Sequence, residues 1–135
     1  MKIMKRPNTL IIEDNLFLVK VLRNLLLYQS GRLEFAKTRD EANDILGRGS
    51  FDLVLSDFHL GDQNSLPILE NLSKTQTKQM LVFMSSDTEA LQSVKAKFST
   101  NKFWAFVNKN ESDWLVQIQE AISSFKGNYD FGKTA

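Results

Sequence analysis

Short runs of apolar residues, each stopped by a polar group, constrain this chain more than any other feature. Thr9-Leu10-Ile11-Ile12 runs into Glu13-Asp14, and Phe51-Asp52-Leu53-Val54-Leu55 runs through Ser56 to Asp57. Leu81-Val82-Phe83-Met84 ends at Ser85, and Trp104-Ala105-Phe106-Val107 ends just before Lys109. Runs this short, with little polar alternation, fit strands buried on both faces, as in a parallel sheet. Open sheets of that kind bind ligands outside the carboxyl ends of their strands. Two acids, a third acid, a hydroxyl and a lysine at four such ends would converge on one small pocket. That donor set suits a divalent cation and a phosphoryl group.

The intervals between the runs carry helical periodicity. Leu16, Val19, Leu22 and Leu26 repeat at helical spacing until Ser30-Gly31 stops them. A weak strand at Leu33–Ala36 precedes a short helix through Ala42, Ile45 and Leu46, which Gly47 is expected to end. The segment from Asp57 to Ser65 reads as a loop, with Gly61-Asp62-Gln63-Asn64 supplying turn chemistry. Ser65 is placed to cap a helix that accepts Pro67 in its first turn and faces Leu66, Leu69 and Leu72 inward. A strand over Met80–Met84 leads to a helix over Thr88–Phe98, and a strand over Phe103–Val107 to a last helix from about Ser112 to Phe125. Leu115, Ile118, Ile122 and Phe125 should face its core side. Five such βα units predict a doubly wound parallel α/β sheet in a single domain.

The chain has 135 residues, enough for one core, and its net charge of +1 gives no electrostatic reason for a nucleic-acid or membrane partner. Its apolar runs fall far short of the ~20 residues that span a bilayer, so a cytoplasmic protein is expected. With no cysteine, disulfides are excluded. The basic start (Lys2, Lys5, Arg6) reads as a solvated N-terminal extension over residues 1–8, with the domain at 9–126. Residues 127–135 are poor in apolar groups and read as a tail or a truncated linker.

The acids carry the chemistry. Two carboxylates ~5 Å apart repel by about 3 kcal/mol at an effective dielectric near 20, so three gathered together point to a bound cation. Oxygen donors favour Mg²⁺, with Mn²⁺ possible. Glu13-Asp14 alone would be ordinary caps for the following helix; Asp57, Ser85 and Lys109 in register with them are not explained that way.

With these residues the chain resembles the receiver domain of two-component response regulators over almost its whole length. The resemblance implies a five-stranded, flavodoxin-like sheet of order 2-1-3-4-5. It makes Asp57 the phosphoacceptor, phosphorylated in a Mg²⁺-dependent reaction by a sensor histidine kinase or histidine phosphotransfer protein. It gives Asp14 and Asp57 to the metal directly, Glu13 through water, and His59 through its backbone carbonyl. Lys109 and Ser85 would contact the phosphoryl group, and Ser86 would leave room for it. Ser85 and Phe106 would act as the switch, passing the signal to an output partner, or to a phosphorylation-dependent dimer, at the surface of helix four, strand five and helix five. Trp104 and Trp114 lie near that surface, as an aromatic docking patch or as core. Such a domain is no dedicated enzyme, though it catalyses its own phosphorylation and dephosphorylation.

The chain departs from the family in several places. Asn110 follows Lys109 where a proline is usual, which predicts a less fixed loop. Ser99-Thr100-Asn101-Lys102 replaces a common glycine and alanine, and the interval from Ser85 to Lys109 is longer than usual. Gly61 and Ser65 stand where proline and glycine are common. Two other readings compete: a pseudo-receiver that binds partners without phosphorylation, and a Mg²⁺-dependent phosphohydrolase of the haloacid dehalogenase kind. The latter needs an acid two residues beyond its nucleophile, where this chain has His59.

Overall fold

A computed structural model describes residues 6–75 and 79–128, the side chains at 75 and 125–128 excepted. The strands are β1 (Thr9–Ile12), β2 (Leu33–Ala36), β3 (Leu53–Asp57), β4 (His59–Leu60), β5 (Gln63–Asn64), β6 (Met80–Ser85) and β7 (Trp104–Asn108). The helices are α1 (Leu16–Leu26), α2 (Arg39–Arg48), α3 (Leu66–Thr75), α4 (Thr88–Phe98) and α5 (Trp114–Asn128). Five strands form one sheet in the order β2-β1-β3-β6-β7, and every neighbouring pair is parallel. With the small β4–β5 hairpin left out of the count, this is the expected 2-1-3-4-5 order.

β1, β3 and β6 are buried at every position, which is why their sequences do not alternate. Successive side chains still point to opposite faces. Leu10, Ile12, Val54, Leu81 and Phe83 pack with Ala42 of α2, Leu69 of α3, and Val94 and Phe98 of α4. Ile11, Leu55, Val82 and Met84 pack with Leu22 and Leu26 of α1 and Ile118 and Ile122 of α5. Each of these Leu, Ile, Val, Met and Phe side chains contributes roughly 1.5–3 kcal/mol through burial. Trp104 belongs to the first face, its ring 5.0 Å from that of Phe98, and Trp114 packs half-buried on the second. Trp104 is therefore a core side chain, whereas Trp114 covers the edge of the second face and keeps part of its ring exposed. Phe125, expected on the inner face of α5, lies outside the described side chains.

Several element ends differ from the sequence expectation for local reasons. α2 runs through Gly47 to Arg48, and Gly49 follows it. Gly47 is exposed with open space around it, so it weakens the helix without stopping it. The Asp57–Ser65 loop contains the β4–β5 hairpin, turned at Gly61 with φ of +66°, a conformation glycine adopts without strain. Ser65 accepts the Leu69 amide through its carbonyl, but its hydroxyl is buried without a hydrogen-bond partner. Asn64 supplies the side-chain cap instead, its Oδ1 accepting the Leu66 amide at 3.0 Å. At the start of the chain, the Pro7 carbonyl accepts the Gly31 amide and the Asn8 amide donates to Asp52, so residues 7 and 8 are bonded to the domain. The last helix runs on to Asn128, so residues 127 and 128 of the expected 127–135 tail are helical, while its residues from 129 onward, like Lys2 and Lys5, lie outside the described residues.

Candidate functional site

Sheet register builds the site. Ile12 pairs with Ser56, so the next residues, Glu13 and Asp57, leave the sheet side by side. Ser85 lies one step beyond Met84, the partner of Asp57, and pairs with Asn108, so Lys109 comes next. Carboxylate oxygens of Glu13, Asp14 and Asp57 all lie within 4.8 Å of one another. Lys109 Nζ sits 3.2 Å from Glu13 Oε1 and 3.2 Å from Asp57 Oδ1. Asp14 is exposed, whereas Glu13 is fully buried and Asp57 nearly so.

Burial dominates the electrostatics. The Glu13 carboxyl is pushed up from an ordinary 4.5 to about 8, chiefly by desolvation, then by hydrogen bonding to and the charge of Asp57. Lys109 opposes the shift without cancelling it. Glu13 Oε2 is buried with no hydrogen-bond partner, and such an oxygen is costly unless a proton or a cation satisfies it. A hard divalent cation fits this set: oxygen donors only, an excess of negative charge over Lys109, and one orphaned buried oxygen.

The loops around the acids are hydrogen-bonded to them and to one another. Asp14 Oδ2 accepts the Gly61 amide at 2.8 Å, so the β4–β5 turn is held against the end of β1. Ser85 Oγ accepts the Asp87 amide at 3.0 Å, and the Ser85 carbonyl accepts the Lys109 amide at 2.9 Å. Asn110, in the place of the usual proline, donates from Nδ2 to the Ser86 carbonyl at 2.8 Å, and its amide bonds Asn108 Oδ1 at 2.9 Å. The loop carrying Lys109 is thus tied directly to the loop carrying Ser85. His59 opens the β4–β5 hairpin, and its exposed ring bonds Asp87 Oδ2 at 2.9 Å. Phe106 lies half-buried on β7, opposite Phe83, with ring centroids 6.5 Å apart.

The register therefore brings Glu13, Asp14, Asp57 and Lys109 together, with Ser85 beside them and Phe106 further along the sheet. The sequence reading missed three contacts: Gly61 to Asp14, Asn110 to Ser86, and His59 to Asp87. A glycine in a turn after Asp57 and an amide side chain after Lys109 were the available signals for the first two.

A doubly wound parallel sheet thus carries an acid triad and a lysine at its carboxyl edge. The response regulator receiver domain profile matches residues 9–119, and the chain belongs to that family. No curated protein matches it in sequence. Among solved structures it resembles the signal receiver domain of an HD domain-containing protein from Pseudomonas fluorescens, at 19% identity and TM-score 0.73 over 95% of each chain. It also resembles the receiver domain of the PhyR response regulator from Erythrobacter litoralis, at 22% identity and TM-score 0.72 over 98% of each chain. A third similar structure is the response regulator TrrA from Thermotoga maritima, in complex with Mg²⁺ and BeF. That match has 15% identity and TM-score 0.65, and covers 87% of this chain and 99% of TrrA.

Proposed function

We propose that this domain accepts a phosphoryl group on Asp57 from a histidine kinase or histidine phosphotransfer protein and relays the signal to a partner. The observation that carries the reading is Lys109 Nζ at 3.2 Å from both Glu13 and Asp57, with the three acids clustered beside it. An Asp57 carboxylate oxygen attacks phosphorus in line; the bond from phosphorus to the donor breaks, and an acyl phosphate forms. Lys109 then loses one carboxylate partner and meets the transferred group's negative oxygens, which a charged amine stabilises. Ser85, at the end of the neighbouring strand, supplies a hydroxyl to a phosphoryl oxygen.

Asp14 and Asp57, Glu13 through water and the His59 carbonyl would hold Mg²⁺, which neutralises charge on the transferring group when bound. The excess of acids over Lys109 supports that assignment, and the TrrA structure holds Mg²⁺ with BeF in the same fold. Among the described residues no helix is long and apolar enough to cross a membrane, which accords with a cytoplasmic relay. Output passes through the face of α4, β7 and α5, to a partner or to a second phosphorylated copy. Apart from its own phosphorylation and dephosphorylation, the domain has no enzymatic role.

Intact mass after acetyl phosphate and Mg²⁺ tests the reading. Wild type should gain one phosphoryl group, EDTA should abolish the gain, and Asp57→Asn should stay unmodified while folded. Lys109→Ala should still bind Mg²⁺ yet take up the group at least tenfold more slowly, whereas Asp14→Ala should lose the metal. A wild type that takes no phosphoryl group from acetyl phosphate or from a competent kinase would favour the pseudo-receiver.

A further inference from the structure

Lys109 stands between two asparagines, and the side chain of each is hydrogen-bonded to backbone beside it. Asn108, the last residue of β7, pairs with Ser85, and its Oδ1 accepts the Asn110 amide at 2.9 Å, closing a turn around the lysine. The Asn108 carbonyl accepts the Glu111 amide at 3.2 Å. Asn110 reaches the loop between β6 and α4, where its Nδ2 donates to the Ser86 carbonyl at 2.8 Å. A carbonyl only accepts, so the side chain must present its nitrogen there. A proline at 110 would lack both the amide and the side-chain donor, and could form neither bond.

The sheet ladder gives Lys109 one bond, from its amide to the Ser85 carbonyl at 2.9 Å. With the Asn110 bond, two consecutive carbonyls of one loop hold two consecutive residues of the other. From there a flexible four-carbon stem carries the Lys109 amine to 3.2 Å from both Glu13 Oε1 and Asp57 Oδ1. A shift in the backbone at 109 is carried along that stem to the amine. Misplacing such a group by about 1 Å costs up to about 10²-fold in rate. Asn110 is exposed, however, and water competes for its partner. Its bond is then worth an ordinary net hydrogen bond, and that smaller effect sets the scale.

We infer that Asn110 and Asn108 are positioning residues for Lys109, bracing the backbone on both sides of it so that its amine stays between Glu13 and Asp57; this rests on the phosphoacceptor reading above. Asn110 Nδ2 is engaged by the Ser86 carbonyl, so its influence is exerted through the lysine. What the pair sets is how often the amine stands where the oxygens of the transferred group arrive.

Phosphoryl uptake from acetyl phosphate in Mg²⁺, followed by intact mass, tests the assignment. Asn110→Ala removes the donor, and Asn110→Asp keeps the shape but turns an acceptor toward the Ser86 carbonyl. Both should slow uptake about three- to tenfold. Asn108→Asp adds the same charge but keeps an oxygen for the Asn110 amide. With its exposed charge screened by salt, it should stay within about twofold of wild type. In a Lys109→Ala background, Asn110→Ala should slow uptake no further, because the residue it positions is gone. Wild-type rates in Asn110→Ala, equal losses in Asn108→Asp and Asn110→Asp, or full additivity with Lys109→Ala would each overturn the proposal. A second readout needs no phosphoryl donor: the Lys109 amide should exchange with solvent faster in Asn110→Ala than in wild type, and equal rates would overturn the brace itself. Failure of the phosphoacceptor reading looks different, because wild type would then take up no phosphoryl group. That result overturns the link to phosphoryl transfer, while the exchange rates still decide whether Asn110 braces Lys109.

Discussion

Glu13 is a fully buried carboxyl, and its protonation should be visible in the stability of the whole domain. Its carboxyl is raised from 4.5 to about 8 in the folded protein, first by burial and then by Asp57. The folded state thus holds the proton more tightly than the unfolded chain does. The stability this contributes is fully present below 4.5 and is lost as pH rises through about 8. In EDTA the melting temperature should fall between about pH 5.5 and about pH 8.5, and Glu13→Gln, which cannot ionise, should flatten that slope. A level wild-type profile, or an unchanged slope in the variant, would refute the assignment. The identities of Glu13, Asp14, Asp57 and Lys109 could be read from sequence because parallel strands deliver whatever residue follows an apolar run to the same edge. The bond between His59 and Asp87 could not, since the choice of partner between two loops depends on backbone paths that no periodicity encodes.

Helix ends show the same division between legible and hidden. Asn15 precedes α1 in extended conformation, and its Oδ1 accepts the amides of Phe17 and Leu18 at 3.0 and 3.2 Å. Replacing it with alanine leaves both amides to water and should lower the unfolding free energy by about 1 kcal/mol, while Asn15→Ser should recover most of that. Urea unfolding measures the difference, and coincident midpoints for wild type and Asn15→Ala would contradict it. The helical stretches themselves were evident from the spacing of Leu16, Leu22 and Leu26 and of Ile118 and Ile122. Their ends were less so. Gly47 resembled a stop signal but only interrupts an exposed face, and Ser65 resembled a cap although burial turns its hydroxyl away from any partner. At Ser65 tertiary packing, not local preference, decided the outcome.

For the molecule as a whole, the alternation of strand and helix periods announced a doubly wound sheet, but the strand order came from resemblance, because periodicity carries no information about neighbours. That order puts β7 at an edge, with Phe106 half-buried beside Phe83 of β6. If phosphorylation draws Ser85 toward Asp57, the loops joined by Asn110 and the Ser86 carbonyl should respond together. Beryllofluoride with Mg²⁺ should then change amide exchange across residues 85–115 while leaving β1 and the inner face of α1 unaltered. Identical exchange across residues 85–115 with and without the analogue would count against a switch on this side of the sheet.

The placement of Lys109 against Glu13 also bears on how the chain is made. These partners lie 96 positions apart in sequence, and β1, the first of the described strands, sits inside the sheet between β2 and β3. At a synthesis rate of roughly 5–20 residues per second, about 5–20 s separate the appearance of the acids from that of the lysine that neutralises them. During that interval the nascent chain carries Glu13 and Asp14 without Lys109, and β1 pairs only with strands synthesised after it, β2 and then β3. The pocket is therefore among the last parts of the domain to form, and a chain released before residue 109 has no means of completing it.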